Sequence, residues 1–246
     1  MNQSYLIGID IGTSACKVAL FDRSGCVLAA ANGDYPVYYP KEGWAEQNPE
    51  EWWEAVCDAI PRVLVKGNIS SEEIKGIGID GQSWSAIAVD KEGNVLTNTP
   101  IWMDTRATDI CEEFNEKIGK DKIFELCGNS LQPSYTTAKI IWYQRNLPEV
   151  YAKTAKILQS NSYIAFKLTG KMTQDVSQGY GLHCFNMQEM TWDFAMCEEL
   201  GFSKDLLPEI YPCHAVIGTV TEEAAKESGL CVGIPVVAGG LDAACA

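Results

Sequence analysis

The sequence predicts an α/β fold on a mixed β-sheet, and two patterns carry this prediction. Residues 5–11, 16–22 and 25–33 show the alternation of three successive short strands, so a β-meander opens the domain, with a hairpin turn at 23–25. Helical patterns and further strands then follow one another along the chain, which is typical of an α/β arrangement. The 246 residues are 46% hydrophobic, which is enough to bury a large core.

The first helix is predicted from the residues at its start. Asn48 suits the N-cap, Pro49 suits the first helical position, and acidic residues occupy the first turn. We expect about four turns of helix, to about Lys66. A strand at 74–80 then extends the sheet.

The later elements are predicted from periodicity and turn residues. Residues 86–90 are expected to pair with 95–96 across a short turn. The middle of the chain is mainly helical, with helices predicted at 105–117, 135–145, 161–168 and 194–200. Near the end, a short buried strand within 233–240 breaks into glycines, and 241–246 is predicted to begin a helix.

Charge and cysteine usage argue against several classes of protein. The net charge of −14 and the lack of any basic run disfavour nucleic acid and anionic lipid as partners. No signal peptide is recognisable, and no stretch reaches the roughly 20 apolar residues of a membrane span. The ten cysteines include no C-x-x-C pair, which favours reduced thiols in a cytoplasmic protein over disulfides or a zinc site.

The connection between the first two strands carries a candidate phosphate and Mg²⁺ loop. Gly12 lets the backbone approach phosphate oxygens, and Thr13 and Ser14 add hydroxyl groups. Lys17 supplies positive charge, and Asp10 can hold a metal ion through its waters. The alternative is a plain hairpin turn that is rich in glycine and hydroxyl residues.

Six short motifs occur in order along the chain. They are D-x-G-T-S at 10–14, E-Q-x-P-E-x-W-W at 46–53, G-I-x-G-Q at 78–82, I-W-x-D-x-R at 101–106, K-I-I-W-Y-Q-R-N-L-P-E at 139–149 and V-V-A-G-G-x-D at 236–242. Each motif is modest alone, but together they resemble the FGGY family of carbohydrate kinases, and xylulokinases in particular. The resemblance extends over all 246 residues.

This resemblance implies a fold and a domain organisation. Members of the family have two actin-like domains of the ribonuclease-H-like fold, with helices on both faces of the sheet and with ATP and sugar meeting between the domains. Residues 1–246 resemble the N-terminal, sugar-binding domain and would end at the hinge. A C-terminal nucleotide-binding domain would then lie outside this chain, and the chain alone would be inactive.

The resemblance also implies a catalytic residue. Asp242 stands where the family has its catalytic base, which takes the proton from the attacking sugar hydroxyl during transfer of the γ-phosphate of ATP. Asp10 would hold Mg²⁺ through water, while Thr13 and Lys17 would contact the β- and γ-phosphates. We therefore expect Asp242 and the loop to share one crevice. The alternative for Asp242 is an acid favoured by the dipole at a helix N-terminus.

Sugar recognition is expected from two segments and one further aromatic residue. The predicted sugar-binding residues are Gln82, Ser83, Trp84, Trp102, Asp104, Arg106 and Tyr135. Amide and carboxylate groups can bond to hydroxyls, and an indole face can cover the C–H side of a sugar. The alternatives are core packing for the two tryptophans and a helix N-cap for Asp104.

Departures from the family pattern leave the sugar open. Xylulokinases typically show G-Q-M-H-G and W-N-D-x-R, whereas this chain has G-Q-S-W-S at 81–85 and W-M-D-T-R at 102–106. Asp175 and Ser177 match a D-x-S stretch of the family, for which a local Asx-turn is the alternative.

The leading hypothesis is an ATP-dependent kinase of a ketose, with a pentulose such as xylulose as first candidate. The alternative is an actin-like nucleotide-binding protein that acts as a sugar-responsive regulator or an assembly protein without phosphotransfer. The sequence leaves the oligomeric state open, with a homodimer as one form.

Overall fold

The computed structural model describes residues 4–245. Ala246, the last residue of the predicted final helix start, lies outside the described residues. All ten cysteines lie within the described range and are free thiols. No helix in this range is long and apolar enough to cross a lipid bilayer.

Strands and helices alternate along the described chain. The strands are β1 (Tyr5–Ile11), β2 (Ala15–Phe21), β3 (Val27–Asp34), β4 (Glu46–Gln47), β5 (Ile74–Gly81), β6 (Ile87–Val89), β7 (Thr99–Pro100), β8 (Lys156–Leu158), β9 (Thr173–Asp175), β10 (Phe185–Asn186), β11 (Thr191–Trp192), β12 (Glu209–Tyr211), β13 (Val216–Thr219), β14 (Pro235–Val237) and β15 (Gly240–Leu241). The helices are α1 (Pro49–Gly67), α2 (Thr108–Phe114), α3 (Lys120–Cys127), α4 (Thr136–Asn146), α5 (Pro148–Lys153), α6 (Ser160–Thr169), α7 (Val176–Gly179), α8 (Phe194–Leu200), α9 (Glu222–Ser228) and α10 (Asp242–Cys245).

The central sheet is mixed, as predicted. Over residues 4–245 it contains seven strands, in the order β13-β14-β5-β1-β2-β3, with β15 also paired to β5. The meander β1-β2-β3 is antiparallel, whereas β5 runs parallel to β1 and to both β14 and β15. Because β14 and β15 follow the same edge of β5, they behave as one strand with an interruption at 238–239.

One face of the sheet is buried beneath helices. The side chains of Ile7, Ile9 and Ile11 alternate with more exposed residues along β1 and are at most 1% exposed. Helix α1 packs on β2 and β3, α6 packs on β5, and α9 contacts both helices. Burial of this apolar layer is the main stabilising contribution to the domain.

Helix α1 shows how local sequence sets an element. The Asn48 side chain accepts a hydrogen bond from the Glu50 amide at 3.1 Å, and Pro49 occupies the first helical position. The helix ends where Asn68 takes a left-handed conformation at φ 53°. Its apolar stripe, which includes Trp52 and Ile60, is buried against the sheet.

A second core lies among the helices of the middle segment. It is built mainly from residues of α2, α3, α4 and α8, together with the chain around 182–207. Ala88 of β6 and its partner Ile157 of the antiparallel strand β8 also belong to this core. This second core supports the segments that carry Trp84, Trp102 and Tyr135.

Two predictions about the elements need correction. The helix predicted at 105–117 begins at Thr108, and after Phe114 it passes through a π-helical turn into α3. The predicted pairing of 86–90 with 95–96 is reduced to a bridge between Val89 and Val95, and the main partner of β6 is β8. Both errors have the same cause, since the deciding contacts come from distant parts of the chain.

Helices were predicted on both faces of the sheet. In the described residues α1, α6 and α9 share one face. The opposite face has an open cavity of about 570 Å³, lined in part by Leu6, Gly8, Gly76 and Gly78. The side chains of Leu6 and Phe21 lie over glycines of this face.

We predict that the N-cap of α1 contributes measurably to stability. Asn48→Ala removes the acceptor for the Glu50 amide and should lower the free energy of unfolding by about 1 kcal/mol. Urea unfolding followed by circular dichroism measures the change. Asn48→Asp keeps an acceptor oxygen and should unfold like the unsubstituted chain, and equal losses in both variants would contradict the assignment.

Candidate functional site

The site is built where the carboxyl ends of three parallel strands meet. Asp10 of β1 lies opposite Asp80 of β5, and Asp80 in turn lies opposite Gly240 of β15. Asp242 follows β15 directly, as the first residue of α10. Parallel strands end at the same edge of a sheet, so three carboxylates from distant parts of the sequence are gathered there.

An open cavity of about 480 Å³ occupies this edge. It is lined by Asp10, Gly12, Lys17, Asp80, Asp242, Ala243 and Cys245. The loop after β1 and the acid at the start of α10 therefore share one crevice, as the sequence analysis expects. The cavity brings together a cationic side chain, a glycine loop and the predicted base.

Asp80 is the acidic residue of this cavity that was not predicted from the sequence. Burial, the neighbouring charge and hydrogen bond of Asp10, and the charge of Asp242 together raise the pKa of Asp80 to about 7. At neutral pH this carboxyl therefore carries a proton for much of the time. The sequence holds a signal for it, because Asp80 is an acidic residue at the end of an apolar strand, within the G-I-x-G-Q motif.

The loop after β1 is held by hydrogen bonds to its carbonyl groups. The Tyr35 hydroxyl donates to the Gly12 carbonyl at 2.6 Å, and the side-chain NH₂ of Gln47 donates to the Thr13 carbonyl at 2.8 Å. The side-chain NH₂ of Gln82 donates to the side-chain oxygen of Gln47 at 2.7 Å. These carbonyls are thereby turned into the protein, away from the crevice.

The other side of the loop is free to bind an anion. Across residues 4–245, no acceptor atom contacts the backbone N–H of Thr13 or Ser14. Adjacent free N–H groups of this kind form anion-binding sites. Lys17 lies opposite Asp10 in the antiparallel register, with its ammonium 2.9 Å from the Asp10 carboxylate. The hydrogen bond to Asp10 raises the pKa of Lys17, which keeps the ammonium charged.

The donor atoms of the cavity also suit a hydrated Mg²⁺ ion. Carboxylate oxygens are hard ligands of the kind that Mg²⁺ prefers, and the raised pKa of Asp80 shows that negative charge is crowded there. Within the described range, however, no three acidic, histidine or cysteine side chains converge on one point. This arrangement fits an ion that keeps most of its waters, held from Asp10.

The backbone before Asp242 is fixed by a buried polar network. Ser177 accepts a hydrogen bond from the Leu241 amide at 2.8 Å and donates to Asp175 at 2.6 Å. The Asn161 side chain donates to Asp175 at 2.9 Å and to the Ala238 carbonyl at 3.2 Å. The D-x-S stretch therefore holds the segment that leads to the predicted base. Asp175 also caps α7, so the Asx-type alternative is present as well.

Gly239 sets the interruption between β14 and β15. It adopts a left-handed conformation with φ 80°. A Cβ at this position would collide with the carbonyl oxygen of Ile79 on β5. The close approach brings the start of α10 against the end of β5.

Aromatic side chains form one wall near the end of β5. The rings of Trp84 and Tyr135 stack at 3.9 Å between centroids with 19° between their planes, and we call this pair the aromatic wall. Trp84 has a left-handed backbone with φ 55°, which is strained for a bulky residue. Trp102 is 44% exposed and donates from its indole to the Thr13 hydroxyl at 3.1 Å, which joins it to the phosphate loop.

The remaining predicted sugar residues lie deeper. Gln82 is 1% exposed and bonds to Gln47 beneath the loop, while Ser83 is half-buried beside it. Asp104 is fully buried and accepts hydrogen bonds from the Ala45 amide and from Arg106.

Arg106 is the cationic partner of Asp104 in this buried part of the site. It pairs with Glu46 at 2.7 Å and stacks on the Trp44 ring. Every described contact of Asp104 and Arg106 is thus within the protein, and their role as sugar ligands stays a prediction. The N-cap alternative for Asp104 is wrong, since α2 has Ala107 as its N-cap.

The sequence analysis also missed the two residues that hold the loop from below. Gln47 is fully buried, and Tyr35 is 7% exposed. Gln47 lies in the E-Q-x-P-E-x-W-W motif, directly before the predicted N-cap Asn48. A polar side chain just before a helix is ordinarily read as a cap, so no local signal indicated its contact with the loop.

Comparison with known proteins points to one family. A family model described as the N-terminal domain of the FGGY family of carbohydrate kinases matches residues 5–246. Xylulose kinase from Bacillus subtilis (strain 168) is 33% identical over 241 residues, which are 98% of this chain and 48% of that protein. The chain therefore spans about half the length of the curated relatives it matches.

Crystal structures of sugar kinases share the fold. Xylulose kinase from Rhodospirillum rubrum matches with a TM-score of 0.92 at 26% identity, covering 97% of this chain and 49% of that one. Gluconate kinase from Lactobacillus acidophilus matches with a TM-score of 0.90 at 28% identity, covering 98% and 48%. These similarities confirm the predicted ribonuclease-H-like, actin-like ATPase fold.

We predict that Asp80 makes stability depend on pH. Between about pH 4 and 7 the folded chain keeps a proton that the unfolded chain has released, so the free energy of unfolding should fall as pH rises through this window. Asp80→Asn should remove this fall and should gain on the order of 1 kcal/mol at pH 8, with little change at pH 4.

Chemical denaturation at a series of pH values measures this difference. Asp109→Asn, which changes an exposed carboxyl of α2, serves as the matched control and should follow the unsubstituted chain. An Asp80→Asn profile that is parallel to the control at every pH would contradict the prediction.

Proposed function

Because the chain belongs to the FGGY family of carbohydrate kinases, we propose that it is the N-terminal, sugar-binding half of an ATP-dependent sugar kinase. The observation that carries the proposal is the single cavity that contains both the phosphate loop and Asp242. Phosphoryl transfer requires a phosphate held within reach of an activated hydroxyl, and these two features supply the two sides of that requirement. A C-terminal domain that binds the adenine of ATP forms the other half in this proposal.

Asp242 is the proposed general base. Its carboxylate faces the cavity, and the Ser177 bond to the Leu241 amide fixes the backbone immediately before it. The base accepts the proton of the attacking sugar hydroxyl as the bond to phosphorus forms. The raised pKa of Asp80, about 7, keeps this neighbouring carboxyl partly protonated at neutral pH, which reduces the negative charge near the incoming phosphate.

The phosphate loop is the proposed site for the terminal phosphates of ATP. The free amides of Thr13 and Ser14, the Thr13 hydroxyl and the Lys17 ammonium are its donors. Mg²⁺ held through water by Asp10 would neutralise charge on the phosphates when it is bound. Closure of the second domain would exclude the water that competes with the sugar as acceptor.

The proposed acceptor is a ketose, with a pentulose such as xylulose as first candidate. The curated relative from Bacillus subtilis is named a xylulose kinase, which supports this choice, whereas the neighbour from Lactobacillus acidophilus is named a gluconate kinase. In this chain Trp84 stands in the segment where xylulokinases show methionine and histidine. The sugar side of this chain therefore differs from that of xylulokinases at the aromatic wall. A panel of acceptors is needed to identify the sugar.

An ADP-release assay on the chain joined to its C-terminal half tests the proposal. One or more ketoses, sugar acids or polyols should raise ADP release above the rate with ATP alone. The 246-residue chain alone should release none, because half of the ATP site would be missing. If no acceptor raises the rate, the alternative of a non-catalytic, sugar-responsive regulator or assembly protein gains support.

We predict that Asp242→Asn abolishes most of the activity. Removal of a general base should lower kcat by about 10² to 10⁴-fold, while the KM for ATP changes little because the phosphate loop is intact. Steady-state kinetics with the best acceptor measures both constants. Asp109→Asn is again the matched control, and an Asp242→Asn enzyme with the control's kcat would exclude Asp242 as the base.

A further inference from the structure

Lys139 is a fully buried cation outside the cavity described above. It lies in the first turn of α4, and its side chain is 0% exposed. Its ammonium donates three hydrogen bonds of 2.8 Å, to the carbonyl groups of Trp84, Ile101 and Ser134. An ammonium has three N–H donors, so all of them are used.

The three carbonyls come from three separate segments. Trp84 follows β5, Ile101 follows β7, and Ser134 precedes α4. Each carbonyl belongs to a residue of the predicted sugar site or directly precedes one, namely Trp84 itself, Trp102 and Tyr135. One side chain thus joins the three segments that carry the predicted aromatic contacts to the sugar.

Lys139 is held by backbone carbonyls and has no acidic ion-pair partner among the described residues. Over residues 4–245, no carboxylate lies within ion-pair distance of the Lys139 ammonium. The charged groups around it are Asp104 and Arg106, and burial lowers the pKa of Lys139 to about 7. An unpaired buried charge is costly, and the bonds to the three carbonyls offset that cost.

The backbone at Trp84 shows what the ammonium holds in place. Trp84 has φ 55°, a conformation that a bulky residue keeps only when its surroundings enforce it. Its ring is stacked on Tyr135, and its own amide makes only a long contact, 3.5 Å, with Gln178. The bond from Lys139 to the Trp84 carbonyl is therefore the strongest described polar contact of this backbone.

We propose that Lys139 is a positioning residue of the sugar site, which sets the aromatic wall by binding the carbonyls of Trp84, Ile101 and Ser134. The inference rests on the proposed function, because the wall is assigned to the sugar. Without the ammonium, the carbonyls of Trp84 and Ser134 lose their described donor, the Ile101 carbonyl keeps only the Asp104 N–H, and the three segments are no longer joined by one side chain. The carbonyls of the phosphate loop are held instead by Tyr35 and Gln47, and its one described link to these segments is the bond from the Trp102 indole to the Thr13 hydroxyl, so the main effect should fall on the sugar side.

A matched pair of substitutions tests the proposal. Lys139→Met keeps the length of the side chain and removes the donors. Lys156→Met is the control, because the Lys156 ammonium also donates to two backbone carbonyls, those of Asp205 and Leu207, but joins none of the three segments. Both variants lose bonds from a lysine to backbone carbonyls, and only one loses the proposed positioning.

Two measurements are made on each variant. In the 246-residue chain, the indole ¹H–¹⁵N resonance of Trp84, assigned by its absence in Trp84→Phe, reports on the wall without any sugar. In the kinase with its C-terminal half, the KM for sugar should rise about tenfold or more in Lys139→Met, with the KM for ATP within about twofold. Lys156→Met should leave the Trp84 resonance and both KM values near those of the unsubstituted protein.

The outcomes separate this inference from the proposed function. A folded Lys139→Met chain with an unshifted Trp84 resonance, or equal KM changes in the two variants, would overturn the positioning role. If no sugar is phosphorylated by the unsubstituted kinase, the proposed function fails, while the resonance still tests whether Lys139 holds Trp84. Should Lys139→Met not fold, Lys139→Gln, which keeps two donors, replaces it in the same comparison.

Discussion

The alignment of three parallel strand ends is the constraint on which the site depends. The register that sets Asp10 opposite Asp80, and Asp80 opposite Gly240, brings acids from the beginning, the middle and the end of the chain into one cavity. A shift of one residue in either pairing would turn these side chains to the other face of the sheet. The register also creates repulsion between like charges, which the Lys17 ammonium and the proton on Asp80 relieve.

Features that depend on neighbouring residues could be predicted from the sequence. The meander and α1 follow from alternation and from the cap at Asn48, and the observed strands and helix agree within about two residues. The loop at 10–14 and Asp242 could be chosen because motifs identify them, and the sheet then places both in one cavity. In each case the decisive information lies within a few residues along the chain.

Features that depend on distant partners could not be predicted. The contacts of Arg106 with Glu46 and the Trp44 ring, about 60 residues earlier in the chain, have no signal in the neighbouring sequence. The pairing of β6 with β8 likewise joins segments about 70 residues apart. Asp80 was overlooked because its pKa is set by Asp10 and Asp242, neither of which is near it in sequence.

Gly239 restricts the substitutions that this part of the chain can accept. Its left-handed backbone and its approach to the Ile79 carbonyl leave no room for any side chain, so substitution at this position is closed to all other amino acids without movement of β5. The distance between Asp242 and the sheet is consequently set by the contact of two backbone segments. It does not depend on the surrounding side chains. Substitutions of side chains around Asp242 therefore leave the backbone that leads to it where Gly239 and β5 set it.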